Sequence, residues 1–84
     1  MIYVYVLRSI PDRLLYTGCT RDLRARLALH NSGQVPSTRD RRPLKLIYYE
    51  ACLNEKDAFR REKYLKTTYG KRYIKTRCRD YFTG

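Results

Sequence analysis

An α+β fold, a three-stranded antiparallel sheet flanked by about three helices, is what the order of residue types along this chain predicts. Three observations carry that reading. Runs of β-branched and aromatic residues occur at 2–7 (IYVYVL), 14–17 (LLYT) and 45–52 (KLIYYEAC). The first two are separated by turn chemistry at Ser9-Ile10-Pro11-Asp12, the signature of a hairpin. Helical spacing with capping residues fills the segments that follow the second and third runs.

In chain order, a four-residue loop joining Arg8 to Arg13 sets a register in which Tyr5 lies directly opposite Tyr16, both on one face. Thr20 or Asp22 caps a first helix running to His30, and Gly33 lies just past its end. Residues 32–44 (SGQVPSTRDRRPL) have no period and form a long loop. Asn54 caps a second helix reaching about Lys66. A third begins after Gly70 and extends to about Asp80, with an apolar stripe of Tyr73, Ile74, Cys78 and Tyr81.

The 84 residues suffice for one domain, 1–84, and 43% hydrophobic content with nine tyrosines supports a small core. Nineteen Lys and Arg against eight Asp and Glu give a formal charge of +11, which calls for a polyanionic partner. Nucleic acid fits that chemistry, and an anionic membrane surface or a ribosome would fit it too. The apolar run Ile2 to Leu7 is too short for a signal peptide or a membrane span, so a cytosolic or nucleoid location is expected. Cys19, Cys52 and Cys78 are odd in number and widely spaced, which reads as reduced thiols packed in the core.

Polar residues stand where apolar ones are expected. At about 100° per residue, Leu23, Arg26, Leu27 and His30 share one arc of the first helix. On the second, Ala58, Glu62 and Leu65 share a face, while Arg60, Arg61 and Lys63 lie away from it. A buried polar group without a partner costs about 1–3 kcal/mol, so Arg26, His30 and Glu62 imply either partners or a cleft. Glu62 has two structural alternatives, a pair with Lys66 one turn on or with Arg26, and His30 could simply bond a carbonyl. For Tyr3, Tyr48, Tyr49 and Tyr64, packing on the sheet is the expectation.

Tyr3-Val4-Tyr5, Tyr16-Thr17-Gly18, Thr20, Asp22-Leu23, Arg26-Leu27 and His30-Asn31-Ser32-Gly33, followed by Thr38, Arg41, Pro43, Leu46, Tyr48-Tyr49-Glu50 and Ala58 to Lys66, together resemble the GIY-YIG nuclease family. The similarity is to its small stand-alone bacterial branch, related to the catalytic domain of excision-repair nuclease subunits. Tyr3 stands where the family name has glycine, Thr17 where it has isoleucine, and the asparagine common near the domain's C-terminal end has no counterpart.

The resemblance implies an endonuclease hydrolysing DNA phosphodiesters, weakly selective or structure-selective, with RNA as another possible substrate. Tyr5 would be the general base and Tyr16 would position water or phosphate. Arg26 would hold the scissile phosphate, His30 would act beside it, and Glu62 would ligate one Mg²⁺ or Mn²⁺. A cation near Tyr5 is expected to favour phenolate. Arg39, Arg41, Arg42 and Lys45 around the long loop, and Lys71, Arg72, Lys75 and Arg79 on the last helix, would grip the backbone. No base-reading module fits in the rest of the chain, so DNA structure, a homo-oligomer or a protein partner would direct targeting. The alternatives are a nucleic-acid-binding module without turnover and, with less support from spacing, a zinc site of Cys19, Cys52, Cys78 and His30.

Overall fold

The computed structural model describes residues 1–84. β1 (Ile2–Ser9) is the central strand of an antiparallel sheet, with β2 (Leu15–Thr20) on one side and β3 (Leu44–Cys52) on the other. The helices are α1 (Leu23–Asn31), α2 (Glu55–Leu65), α3 (Thr68–Arg77) and α4 (Arg79–Thr83), and Arg39–Arg41 forms one 3₁₀ turn inside the long loop. The predicted α+β sheet is therefore present, with four helices.

The hairpin register differs from the sequence expectation. Tyr5 faces Gly18 and Leu7 faces Tyr16, because Arg8 pairs with Leu15 rather than Arg13. The turn is displaced along the chain: Ser9 N–H donates to Leu14 O at 3.0 Å, and Arg13 occupies the left-handed region at φ 62°. The Asp12 carboxylate accepts from Leu14 N–H at 2.8 Å and braces the turn. Side chains alternate with period two, so the displaced register keeps Tyr5 and Tyr16 on one face as diagonal neighbours.

Each face of the sheet has its own core. Ile2, Val4 and Val6 meet Ala58 and Leu65 of α2 and Ile74 of α3 on one side, with Cys19, Cys52, Cys78 and Phe82 packed against them. Tyr5, Leu7 and Leu44 meet Leu23 and Leu27 of α1 on the other. A register irregularity opposite Val6/Leu7 lets Ile47 and Tyr48 both join the first core, as a bulge allows.

α3 starts earlier than expected, at Thr68 with Thr67 as its N-cap, so Gly70 lies inside it. Here glycine marks close approach rather than a boundary: an added Cβ would collide with Tyr64 O and Leu65 Cα of α2. The helix also ends early, at Arg77, and Arg79 belongs to α4. Of the expected stripe, Ile74 is buried and Cys78 half-buried, but Tyr73 and Tyr81 stay partly exposed.

A second correction concerns Arg61, which does not point away from the sheet. Its guanidinium grips the Glu50 carboxylate at 2.9 and 2.8 Å and lies 4.8 Å from the Tyr73 ring centroid. Arg61 holds the Glu50 carboxyl below its ordinary range, and Tyr48 donates to the same carboxylate at 2.7 Å. This bidentate pair ties α2 to β3.

Candidate active site

Tyr5 enters from the middle of the central strand and is 1% exposed. Its partner, His30, hangs from the last turn of α1 at 0% exposure, as the Leu23/Arg26/Leu27/His30 arc requires. The Tyr5 hydroxyl lies 2.8 Å from His30 Nε2, and His30 Nδ1 lies 2.8 Å from Thr38 Oγ1. Thr38 donates its own proton to Val35 O at 3.5 Å. That bond allows the tautomer in which Thr38 Oγ1 accepts from Nδ1–H and the unprotonated Nε2 accepts from the Tyr5 O–H. The result is a buried relay of three side chains from a strand, a helix and the long loop.

Arg26, one turn before His30, donates from Nε to the Tyr5 oxygen at 3.4 Å. Burial nevertheless raises the Tyr5 pKa, outweighing the lowering effect of that hydrogen bond. Burial, reinforced by the Arg26 charge, lowers that of His30. The resting pair is a neutral phenol and a neutral imidazole: the Arg26 cation pulls toward phenolate, as expected of it, and burial outweighs that pull. Tyr16 completes the group, its ring centroid 5.0 Å from that of His30 and 6.4 Å from that of Tyr5.

Gly18 is what allows Tyr5 to lie there. It stands directly across β1 from Tyr5, and an added Cβ would collide with the phenol oxygen and come within 2.6 Å of Cζ.

Glu62 belongs to the opposite layer, on α2. Its carboxylate pairs with Lys66 at 3.0 Å, the first of the two structural partners considered, and its side chain is 21% exposed. Burial first, then the Glu62 charge, push the Cys19 thiol up to about 12, and the same charge is felt at Tyr5. Glu62 thus faces Cys19 of edge strand β2, and its charge reaches Tyr5 from the other layer.

No three His, Cys, Asp or Glu side chains converge as a metal-binding group. Glu62, partly exposed, is the residue that would hold a hard cation here, leaving the cation's other positions to waters and substrate oxygens.

The basic candidates divide between two clefts. Arg41, 24% exposed, donates from Nε to Asp12 at 2.8 Å and holds that carboxyl below its usual range. Its Nη2 is buried without a partner, and with Arg13, Lys71 and Lys75 it lines a cleft of about 210 Å³. Arg39 and Arg42 line a second, of about 540 Å³, with Asn31, Asp40 and Pro43. Lys45 and Arg72 are stacked on the Tyr81 and Tyr69 rings, and Arg79 sits beside Asp80 on α4, so these three join neither cleft. Thr38, Gly18 and Arg13 received no site role from the sequence, although Thr38 and Gly18 lie within the quoted motif.

Fold and site together define a small α+β domain with a buried tyrosine–histidine pair and a basic surface. The family model of the GIY-YIG catalytic domain matches residues 1–77, and the chain belongs to that family of nucleases. It is 45% identical over 67 residues to a UPF0213 protein of Clostridium perfringens, covering 79% of this chain and 71% of that one. A UPF0213 protein of Staphylococcus haemolyticus is 42% identical over 66 residues, 77% and 79% of the two chains. One from Pediococcus acidilactici is 45% identical over 79 residues, 87% and 76%. No solved structure matches the chain. No helix is long and apolar enough to cross a membrane.

Proposed function

We propose that this chain is an endonuclease domain that hydrolyses DNA phosphodiesters with the help of one divalent metal, Mg²⁺ or Mn²⁺. The observation that carries the reading is the Tyr5–His30–Thr38 relay with Arg26 at its open end.

As the Tyr5 oxygen takes a proton from the attacking water, His30 Nε2 takes the phenol proton, so no free phenolate has to persist in a buried site. Thr38 holds the imidazole in the required tautomer. Arg26 binds the scissile phosphate and stabilises charge developing on it, and Tyr16 orients water or phosphate. Glu62 would hold the metal, which when bound would neutralise phosphate charge and polarise the bond to be broken. Arg39, Arg41 and Arg42, with Lys71 and Lys75 across the smaller cleft, grip the backbone, and Lys45, Arg72 and Arg79 add longer-range attraction. Damaged, branched or flapped DNA in the cytosol or nucleoid is the proposed substrate class, with targeting aided by a partner or a second copy.

One observation favours a binding module without turnover. Both asparagines are in structural use: Asn31 brackets the Leu44 backbone at 2.9 and 2.8 Å, and Asn54 caps α2. The decisive experiment incubates the protein with plain, flapped and branched DNA and matched RNA, with Mg²⁺ or Mn²⁺ and then with chelator. Metal-dependent cleavage of DNA supports the nuclease; binding without cleavage supports the module.

A further inference from the structure

An apolar hollow beside α1 is not part of the Tyr5 relay. It is a cleft of about 510 Å³ between α1 and β3, lined by Tyr3, Leu23, Leu27, Leu46 and Tyr49, with Arg21 and Arg24 at its rim. The volume lies in the range of small-ligand sites. Tyr49 is 53% exposed and meets Tyr3 edge-on at 5.9 Å between centroids, so the packing role expected for it leaves half of it uncovered.

The rim is cationic. Arg24 is exposed and takes part in none of the chain's ion pairs. Arg21 pairs with Glu55 at 3.2 Å through highly exposed side chains, a contact weak enough to exchange for a phosphate. The one carboxylate in the lining, Asp22, is engaged in capping α1 through Ala25 N–H at 3.0 Å.

An apolar, aromatic floor beneath guanidinium groups, in a chain of net charge +11, has the chemistry of a nucleotide site: a base on the ring, phosphates at the rim. We infer that this cleft receives an unpaired nucleobase of the nucleic-acid substrate, stacked on Tyr49 with flanking phosphates on Arg24 and Arg21. A paired base inside a duplex cannot present its face to Tyr49, so the site selects strands with a single-stranded segment.

The position ties it to the proposed chemistry. Tyr49 is the direct cross-strand partner of Tyr5, a spacing of about 5 Å, on the same side of the sheet. A base held there anchors the strand beside the catalytic cluster and favours flaps and junctions over plain duplex. The inference rests on the nuclease reading and adds the feature by which substrates are chosen.

The test compares binding, in chelator, to a blunt duplex and to the same duplex with a short unpaired tail carrying 2-aminopurine. Wild-type protein should prefer the tailed duplex and change the 2-aminopurine fluorescence on stacking. Tyr49→Ser should lose about tenfold of that preference together with the fluorescence change, whereas Tyr49→Phe should keep both. Thermal melting checks that each variant is folded. A folded Tyr49→Ser protein that keeps preference and signal overturns the site. Binding of both duplexes without preference overturns it too, while leaving the nuclease reading intact; binding of neither removes both.

Discussion

Replacing Tyr5 by Phe removes one oxygen atom from the centre of the molecule and has two separable consequences. The ring and its packing against Leu7 and Leu44 remain, but His30 Nε2, in a residue with 0% exposure, loses the hydroxyl that satisfied it. An unsatisfied buried acceptor costs about 1–3 kcal/mol. For a domain of this size each kcal/mol lowers Tm by about 4–8 °C, so a central value of about 2 kcal/mol corresponds to about 8–16 °C. Urea or thermal unfolding of the free protein near neutral pH measures this. On the chemical side, loss of the group that accepts water's proton should slow cleavage by about 10²–10⁴-fold at saturating substrate. The double variant Tyr5→Phe/His30→Leu removes both ends of the bond and should recover part of the stability but none of the activity. A Tyr5→Phe protein as stable and as active as the wild type would refute the relay.

Gly18→Ala should displace Tyr5, costing about 1–3 kcal/mol of stability and most of the activity, because the new Cβ takes the phenol's space; unchanged melting and turnover would contradict the close approach. Arg26→Lys keeps the charge but not the fork or the Nε contact, so cleavage should fall about a hundredfold while DNA affinity changes little; full turnover by Lys would make Arg26 a general electrostatic residue. The pH dependence follows from His30, whose folded pKa lies below its ordinary 6.5. The unfolded chain takes up that proton first, so the stability His30 contributes is complete above about pH 6.5 and lost as pH falls from there toward the folded pKa, whereas the rate of the folded protein holds through that window and falls only around the lower folded pKa. Melting that does not weaken below about pH 6.5, or a rate that already falls near pH 6.5, would exclude a neutral His30 from the account.

Elements set by local patterns were legible from the residues. The three strands, the Asp22 and Asn54 caps and the inward arc of Arg26 and His30 follow from alternation, capping chemistry and helical period. What was missed depended on contacts distant in sequence. The hairpin register turned on Arg13 adopting a conformation usually left to glycine or asparagine, which residue type alone argues against. Gly70 reads as a helix boundary until α2 is packed against it. Arg61 sits at the border of a helix face, and only the position of Glu50 on β3 decides which way it turns. In the site, Tyr5 and His30 could be placed on facing elements, but Thr38 lies in an aperiodic loop, and its bond to Nδ1, which sets the direction of the relay, has no local signature.

The central claim, that this site cuts nucleic acid with a metal held by Glu62, is tested most directly by Glu62→Gln, which keeps the side chain's size and removes its charge. The account predicts a variant that melts close to the wild type, since the Lys66 pair it loses is a partly exposed helical one worth about 0.3–0.5 kcal/mol, and that still binds DNA. The same variant should release no cleavage product at any Mg²⁺ or Mn²⁺ concentration at which the wild type cuts. Wild-type cleavage rates in the Gln variant would contradict the claim.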